Sequence, residues 1–234
     1  MSVDIIIPTY NCGIYLKDAL NSCLKQAYKN YNIIVVDDAS DDDLGWVSNF
    51  HPKIKYIRNE KNLGPAASRN IGIKSSNSEF ISLLDADDIM HPNKLLLSVD
   101  FLSNNPDTAM TCGDDQILVN RKNLLRPFYK NPVFISYKDL MKQNYVACGS
   151  VTMRRSALES IGLFNEKYWI SEDYDMWLRI SEKYKIKYIH EILYYYSVIP
   201  KGGSLTQRDD IQKNHTTNIN EIREASRARM TNDR

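Results

Sequence analysis

Asp85, Asp87 and Asp88 stand directly behind the apolar run Phe80-Ile81-Ser82-Leu83-Leu84, and Asp37 and Asp38 directly behind Ile33-Ile34-Val35-Val36. Ligands of open parallel sheets bind outside the carboxyl ends of the strands. If both runs are parallel strands of one sheet, the five acids share that edge and repel one another unless something neutralises them. A divalent cation with oxygen ligands answers the repulsion, and Mn²⁺ or Mg²⁺ suits because both take carboxylates together with substrate phosphates. An Asp that closes a strand can also cap a helix or build an Asx turn. For Asp37 and Asp38 both readings stay open, whereas Asp-x-Asp-Asp after an apolar strand is the more specific signal.

Two further stretches carry chemistry. Gly64-Pro65-Ala66-Ala67-Ser68-Arg69-Asn70 puts small residues at a helix start, where backbone N–H groups favour anions. Arg69, one turn in, could reach a base, ribose or diphosphate, or be an ordinary solvated arginine. Ser171-Glu172-Asp173-Tyr174-Asp175-Met176-Trp177-Leu178-Arg179 opens a predicted amphipathic helix with acids that suit a helix dipole. Carboxylates set among Trp169, Trp177 and like charges also have the environment of a tuned base. Cys148-Gly149-Ser150 either lines a pocket or lies in a plain buried strand. Neither G-x-G-x-x-G after the first strand nor G-x-x-x-x-G-K-[ST] occurs.

The elements that must position these residues alternate. Val3–Ile7 reads as a buried strand, followed by a helix whose inner face is Leu16, Leu20, Cys23, Leu24 and Ala27. Strands follow at Ile33–Val36 and Ile54–Ile57, a helix from Pro65 to about Lys74, and a strand at Phe80–Leu84. Pro92 fits the first turn of the next helix, with Leu95, Leu96, Val99 and Leu102 inward. This β-α alternation implies parallel strands with right-handed crossovers. Beyond about residue 105 it loosens. Ala109–Val119, Tyr145–Met153 and Ile186–Val198 read as strands, and Glu172–Glu182 as a helix with Met176, Trp177 and Ile180 inward. The polar segment 207–234 is a docked terminal helix or a frayed tail.

Composition excludes several classes. The 234 residues suit one large domain or one domain with an extension, and a formal net charge of +1 gives no support to a nucleic-acid binder. No uncharged apolar stretch approaches the roughly 20 residues of a membrane span. The opening Met1-Ser2-Val3-Asp4 lacks a basic n-region, so no secretory signal is expected. Cys12, Cys23, Cys112 and Cys148 form no C-x-x-C pair and read as reduced thiols of a cytoplasmic protein.

IIIPTYN, IIVVDDASDD, NLGPAASRNIGI, FISLLDADD and SEDYDMWLR together resemble the successive motifs of family 2 glycosyltransferases, in order, over about residues 3–200. The resemblance implies a GT-A fold: an α/β domain with a mostly parallel, Rossmann-like sheet flanked by helices and a mixed acceptor-side subregion. It implies one domain over 1–206, with a nucleotide-sugar half to about 105 and an acceptor half over 106–206. It further implies an inverting, metal-dependent transferase that takes a nucleotide sugar, commonly UDP-linked. The acceptor would be a hydroxyl of a glycan or lipid-linked saccharide in surface polysaccharide biosynthesis.

By the same resemblance Pro8, Thr9 and Tyr10 line the nucleobase, and Asp38 or Asp37 contacts uracil or ribose. Arg69 lies near the nucleotide, Asp85 and Asp87 form the D-x-D pair, Asp87 holds the metal first with Asp88 as its rival, and Asp173 is the general base. The Arg and His that many relatives carry after the last strand are missing from Tyr196-Ser197-Val198-Ile199-Pro200-Lys201, and Lys201 is the candidate replacement charge. A slight basic excess from Lys213, Arg223, Arg227, Arg229 and Arg234 over Glu221, Glu224 and Asp233 is compatible with peripheral contact at the inner face of a membrane. Two other functions compete. One is a nucleotidyltransferase, whose Gly-rich, Lys-bearing loop is missing. The other is a non-catalytic nucleotide-sugar or carbohydrate-binding protein, which an intact Asp173 disfavours.

Overall fold

The computed structural model describes residues 1–119, 122–124, 131–198 and 209–232. The elements run β1 (Val3–Thr9), α1 (Gly13–Leu24), β2 (Tyr31–Asp37), β3 (Ile54–Arg58), α2 (Pro65–Lys74), β4 (Phe80–Leu83), β5 (Ile89–Met90) and α3 (Lys94–Asn104). They continue with β6 (Thr108–Val119), β7 (Lys122–Leu124), β8 (Phe134–Ile135), α4 (Tyr137–Leu140), β9 (Thr152–Arg154), α5 (Arg155–Ile161), α6 (Glu172–Lys183), β10 (Lys185–Val198) and α7 (Asp209–Asn232). Lys201 lies outside the described residues.

One sheet has the order β3-β2-β1-β4-β9-β6-β10-β5, with β7 beside β6 and β8 beside β10. The pairs β3-β2, β2-β1, β1-β4 and β6-β10 are parallel. Strand β9 runs against both neighbours, and β5, β7 and β8 are antiparallel. The carboxyl ends of β1, β2 and β4 therefore share one edge, and β6 and β10 point the same way. This is the mostly parallel α/β architecture the sequence implies.

Period-two burial sorts each central strand between two helix layers. Ile6, Ile34, Val36 and Leu83 pack with α2, α5 and α6 on one face, whereas Ile5, Ile7, Ile33 and Val35 pack with α1 and α3 on the other. Helix α2 approaches so closely that a Cβ on Gly72 would lie 2.5 Å from Ile6 Cγ2.

Three expectations are corrected and one open alternative is decided. Helix α1 stops at Leu24, and Ala27 is exposed because its N–H leaves the helical pattern to bond Pro92 O. Helix α3 begins at Lys94, past Pro92, and Leu96 is 45% exposed because it sits 100° round the helix from Leu95. Tyr145–Met153 is not a strand. It contains a 3₁₀ turn at Cys148–Ser150, and pairing begins only at Thr152. The polar end is helical, and Ile222 is fully buried, so α7 is docked rather than frayed. Helices α4 and α5 were unforeseen.

Candidate active site

At the end of β2, Asp37 is fully buried and accepts from Ser40 N (2.9 Å), Tyr56 Oη (2.6 Å) and Arg58 Nη1. Burial opposes its charge, but the bonds from Ser40 and Tyr56 and the Arg58 guanidinium together hold its carboxyl below the ordinary range. Asp38 Oδ1 accepts from Asn59 Nδ2 (2.7 Å) and Leu63 N (2.9 Å), and Oδ2 from Gly64 N (2.8 Å). Both acids thus build loops, and Arg58 removes Asp37 from the expected repulsive cluster. Asp38 fixes the entry to α2. Gly64 sits there at φ 88°, with the Trp169 ring 2.9 Å from where its Cβ would be.

Beside these loops, Asp38 N bonds Thr9 O (2.8 Å), which locks the end of β1 to the end of β2. Among the described residues Thr9 Oγ1 is buried without a hydrogen-bond partner, and the next residue, Tyr10, is exposed. Pro8 pairs in register with Val36.

Arg69 on α2 is 5% exposed, and its guanidinium bridges two acids. Nη2 donates to Asp85 Oδ1 (2.8 Å) and Nη1 to Glu172 Oε1 (2.5 Å). The turn after β4 and the start of α6 are therefore joined through one buried cation. Glu172, expected only as a first-turn acid suited to the helix dipole, is thereby a partner of Arg69. Nothing local in the sequence shows that Arg69 is buried, so the pair carries no signal there.

The three acids that open α6 have different partners. Glu172 pairs with Arg69, and Asp175 pairs with Arg179 Nε (2.8 Å). Asp173 has no ion pair among the described residues. Its Oδ1 accepts from Tyr174 N (2.7 Å), and burial with nearby Asp85 raises its pKa against the pull of Arg69. Burial likewise pushes Glu172 up to about 7. Ser171, just before them, is left-handed at φ 68°. Trp177 is in the core, edge-on to Phe164, whereas Trp169 is 47% exposed.

In the turn after β4, Asp88 N donates to Asp85 O (3.1 Å), and Asp88 Oδ1 accepts from Ser197 N on β10 (2.8 Å). Burial, then Asp85, pushes Asp87 up to about 6, and burial, then Asp87 and Asp85, raises Asp88. Among the described residues neither acid has a cation partner. They also include no closed set of three metal-ligating side chains. Two crowded carboxylates without a countercharge fit the open kind of Mg²⁺ or Mn²⁺ site, in which one or two acids share the ion with substrate phosphates.

Two groups lie beneath the acids. Fully buried Lys94 donates to Leu83 O (2.6 Å) and Gly149 O (2.7 Å), tying the strand before Asp85 to the Cys148–Ser150 turn. Cys148 adjoins Arg69, Asp85 and Asp173, and burial raises its thiol pKa. The turn thus borders the acidic site.

Comparison with known proteins adds to this geometry. The family model described as "Glycosyl transferase family 2" matches residues 4–162. An uncharacterized glycosyltransferase of Rickettsia conorii is 36% identical over 203 residues, covering 82% of this chain and 33% of that protein. In Escherichia coli, "UDP-Glc:alpha-D-GlcNAc-diphosphoundecaprenol beta-1,3-glucosyltransferase WfgD" is 32% identical over 190 residues, covering 80% of this chain and 73% of the relative. The chain spans 33% to 62% of the length of four rickettsial relatives. Staphylococcus aureus TarS residues 1–349 in complex with UDP-GlcNAc shares the fold, with a TM-score of 0.76 and 22% identity over 92% of this chain and 64% of that one. A Pyrobaculum calidifontis mannosyltransferase in complex with GDP-Man and Mn²⁺ also shares it, with a TM-score of 0.67 and 19% identity over 86% of this chain and 58% of that one.

Proposed function

The chain belongs to glycosyl transferase family 2, and on that footing we propose that it is an inverting, metal-dependent glycosyltransferase. It moves a hexosyl or N-acetylhexosaminyl group from a UDP donor to a hydroxyl of a glycan or lipid-linked acceptor, in surface polysaccharide biosynthesis. The observation that carries this reading is the bridge from Asp85 through Arg69 to Glu172, which brings the D-x-D turn beside Asp173. The UDP donor and lipid-linked acceptor named for the Escherichia coli relative support both substrate classes. Residues up to about 105 form the donor half and 106–206 the acceptor half.

On the donor side, Pro8, Thr9 and Tyr10 line the base, and the Thr9 hydroxyl, without a partner among the described residues, supports that role. The uracil or ribose contact falls to Asp38 or Asp37: each accepts three bonds within the fold, and each keeps one oxygen with a single bond, Asp38 Oδ2 from Gly64 N and Asp37 Oδ1 from Ser40 N. Arg69 holds Asp85 toward the diphosphate side. Asp87, with Asp88 beside it, would hold Mn²⁺ or Mg²⁺, which when bound neutralises charge developing on the leaving diphosphate.

Asp173 takes the proton of the acceptor hydroxyl as its oxygen bonds the anomeric carbon from the face opposite the breaking bond, so the centre inverts. Its raised pKa makes it a better base than an ordinary Asp, and such a base contributes ~10²–10⁴-fold. Among the described residues no helix is long and apolar enough to cross a membrane. A lipid-linked acceptor would place the reaction at the cytoplasmic face of a membrane. Within α7, Arg223 and Arg229 are engaged by Tyr174, Lys142 and Glu182, which reduces the charge free for lipid contact.

The test is turnover of a panel of UDP-sugars with Mn²⁺ and saccharide acceptors, with the product's anomeric configuration read by NMR. Inverted product is expected. Retained configuration, or pyrophosphate release from a nucleoside triphosphate and a sugar phosphate in place of sugar transfer, would overturn the reading.

A further inference from the structure

Helix α7 lies beyond the region the family model matches, yet its side chains grip the segment that carries the acids. Asn218 Nδ2 donates to Ile170 O (2.9 Å), and His215 Nδ1 shares a hydrogen bond with Ser171 Oγ (2.6 Å). Glu221 pairs with Lys167. Arg223 donates through Nε to Tyr174 Oη (3.0 Å) and through Nη2 to Lys142 O (3.0 Å). Further along, Ser226 Oγ and Arg229 both reach Glu182. The held residues 167, 170, 171, 174 and 182 flank Glu172 and Asp173 on both sides.

Part of the grip falls on a left-handed backbone position. Ser171 adopts φ 68° and ψ 14°, a left-handed conformation that a non-glycine residue keeps only when its surroundings hold it. Ser171 is the N-cap of α6, but its hydroxyl makes no cap bond to the helix and bonds His215 instead. A serine here would ordinarily cap N2 or N3. The turn that sets the direction of Asp173 is therefore fixed from outside, by α7.

We propose that α7 is a clamp on the Ile170–Ser171 turn, and that His215 and Asn218 are positioning residues for Asp173. The inference rests on the transferase reading for its kinetic consequence, but not for its structural one. Neither side chain needs to touch substrate. Each acts through the turn, and misplacing a reacting group by about 1 Å can cost ~10²-fold in rate.

The experiment compares wild type with His215→Ala/Asn218→Ala and with His215→Asn, which can keep a bond from the position of Nδ1. Hydrogen exchange is followed across 168–176, UDP binding with Mn²⁺ by calorimetry, and UDP release from UDP-glucose with a GlcNAc-diphosphate lipid. In the double variant, exchange across 168–176 should rise while α2 and β4 stay protected. Its kcat should fall about ten-fold, its UDP affinity should stay within about two-fold, and His215→Asn should recover most of the rate. Unchanged exchange across 168–176 overturns the clamp whether or not UDP-glucose is the donor. So does an unchanged kcat, or a parallel loss of kcat, UDP affinity and Tm. A wild-type protein that turns over no nucleotide sugar counts against the transferase reading alone, and the exchange comparison still decides the clamp.

Discussion

Arg69 Nη1 lies 2.5 Å from Glu172 Oε1, joining side chains 103 residues apart in the sequence. Both groups are buried, so removing one strands the other. Breaking a buried pair costs about 3–5 kcal/mol, because the surviving charge has lost its partner. Arg69→Met should therefore lower stability by about that amount in urea denaturation. Arg69→Lys should not restore it, since one ammonium cannot reproduce the fork that spans Asp85 and Glu172. A wild-type midpoint in Arg69→Lys would show that the bridge is dispensable.

The acidic limb of the pH–rate profile should lie above the range of an ordinary aspartate. Asp173 must be ionised to accept a proton, and burial with Asp85 nearby raises its pKa. Rate is then lost as pH falls through that raised value, and kcat/KM measured from pH 4 to 8 checks it. A profile flat down to pH 4 would mean that no such group titrates in the working site.

Lys94 provides a pH signature in stability rather than rate. Burial drives its pKa from 10.5 down to about 7. As a neutral amine it has two N–H donors for its two carbonyl acceptors, Leu83 O and Gly149 O. Between about pH 7 and 10.5 the unfolded chain holds a proton that the folded chain has shed, so this residue makes stability rise with pH across that window. Lys94→Met should lack the rise. The difference in unfolding free energy between the two proteins at pH 7 and pH 9 reads the effect, and equal slopes would contradict it.

Gly72→Ala sets two effects against each other. Alanine gains about 0.8–1.0 kcal/mol of helix propensity over glycine. Its Cβ would meet Ile6 Cγ2 at 2.5 Å, and overpacking a core costs about 1–3 kcal/mol. Crowding should win, lowering Tm and loosening α2, which carries Arg69. A raised Tm would show that the sheet yields at Ile6.

The β1–β4 part of the fold was largely legible because its signals are local. An apolar run ending in acids reads as a buried strand with a polar mouth, and parallel β2 and β4 do bring Asp37-Asp38 and Asp85–Asp88 to one edge. Long-range contacts decided the rest. Val146, Ala147 and Cys148 read as strand, yet Gly149 turns the chain so closely against Tyr194 that a Cβ would lie 2.6 Å from its ring. Strands β5 and β8 have two residues each and exist through pairing with β10. Among the described residues of helix α7, Ile222 and Ile219 supply the apolar contact and hydrogen bonds and ion pairs the rest, which leaves little apolar periodicity to read. Glu172 was hidden for a related reason: its partner Arg69 is remote in sequence.

The most direct measurement compares Asp173→Asn with wild type in transfer and in UDP binding with Mn²⁺. If Asp173 is the base at a site formed with the Asp85–Asp88 turn, the variant should bind UDP within about two-fold of wild type and lose ~10²–10⁴-fold in kcat. Transfer at near wild-type rate by Asp173→Asn would contradict the account.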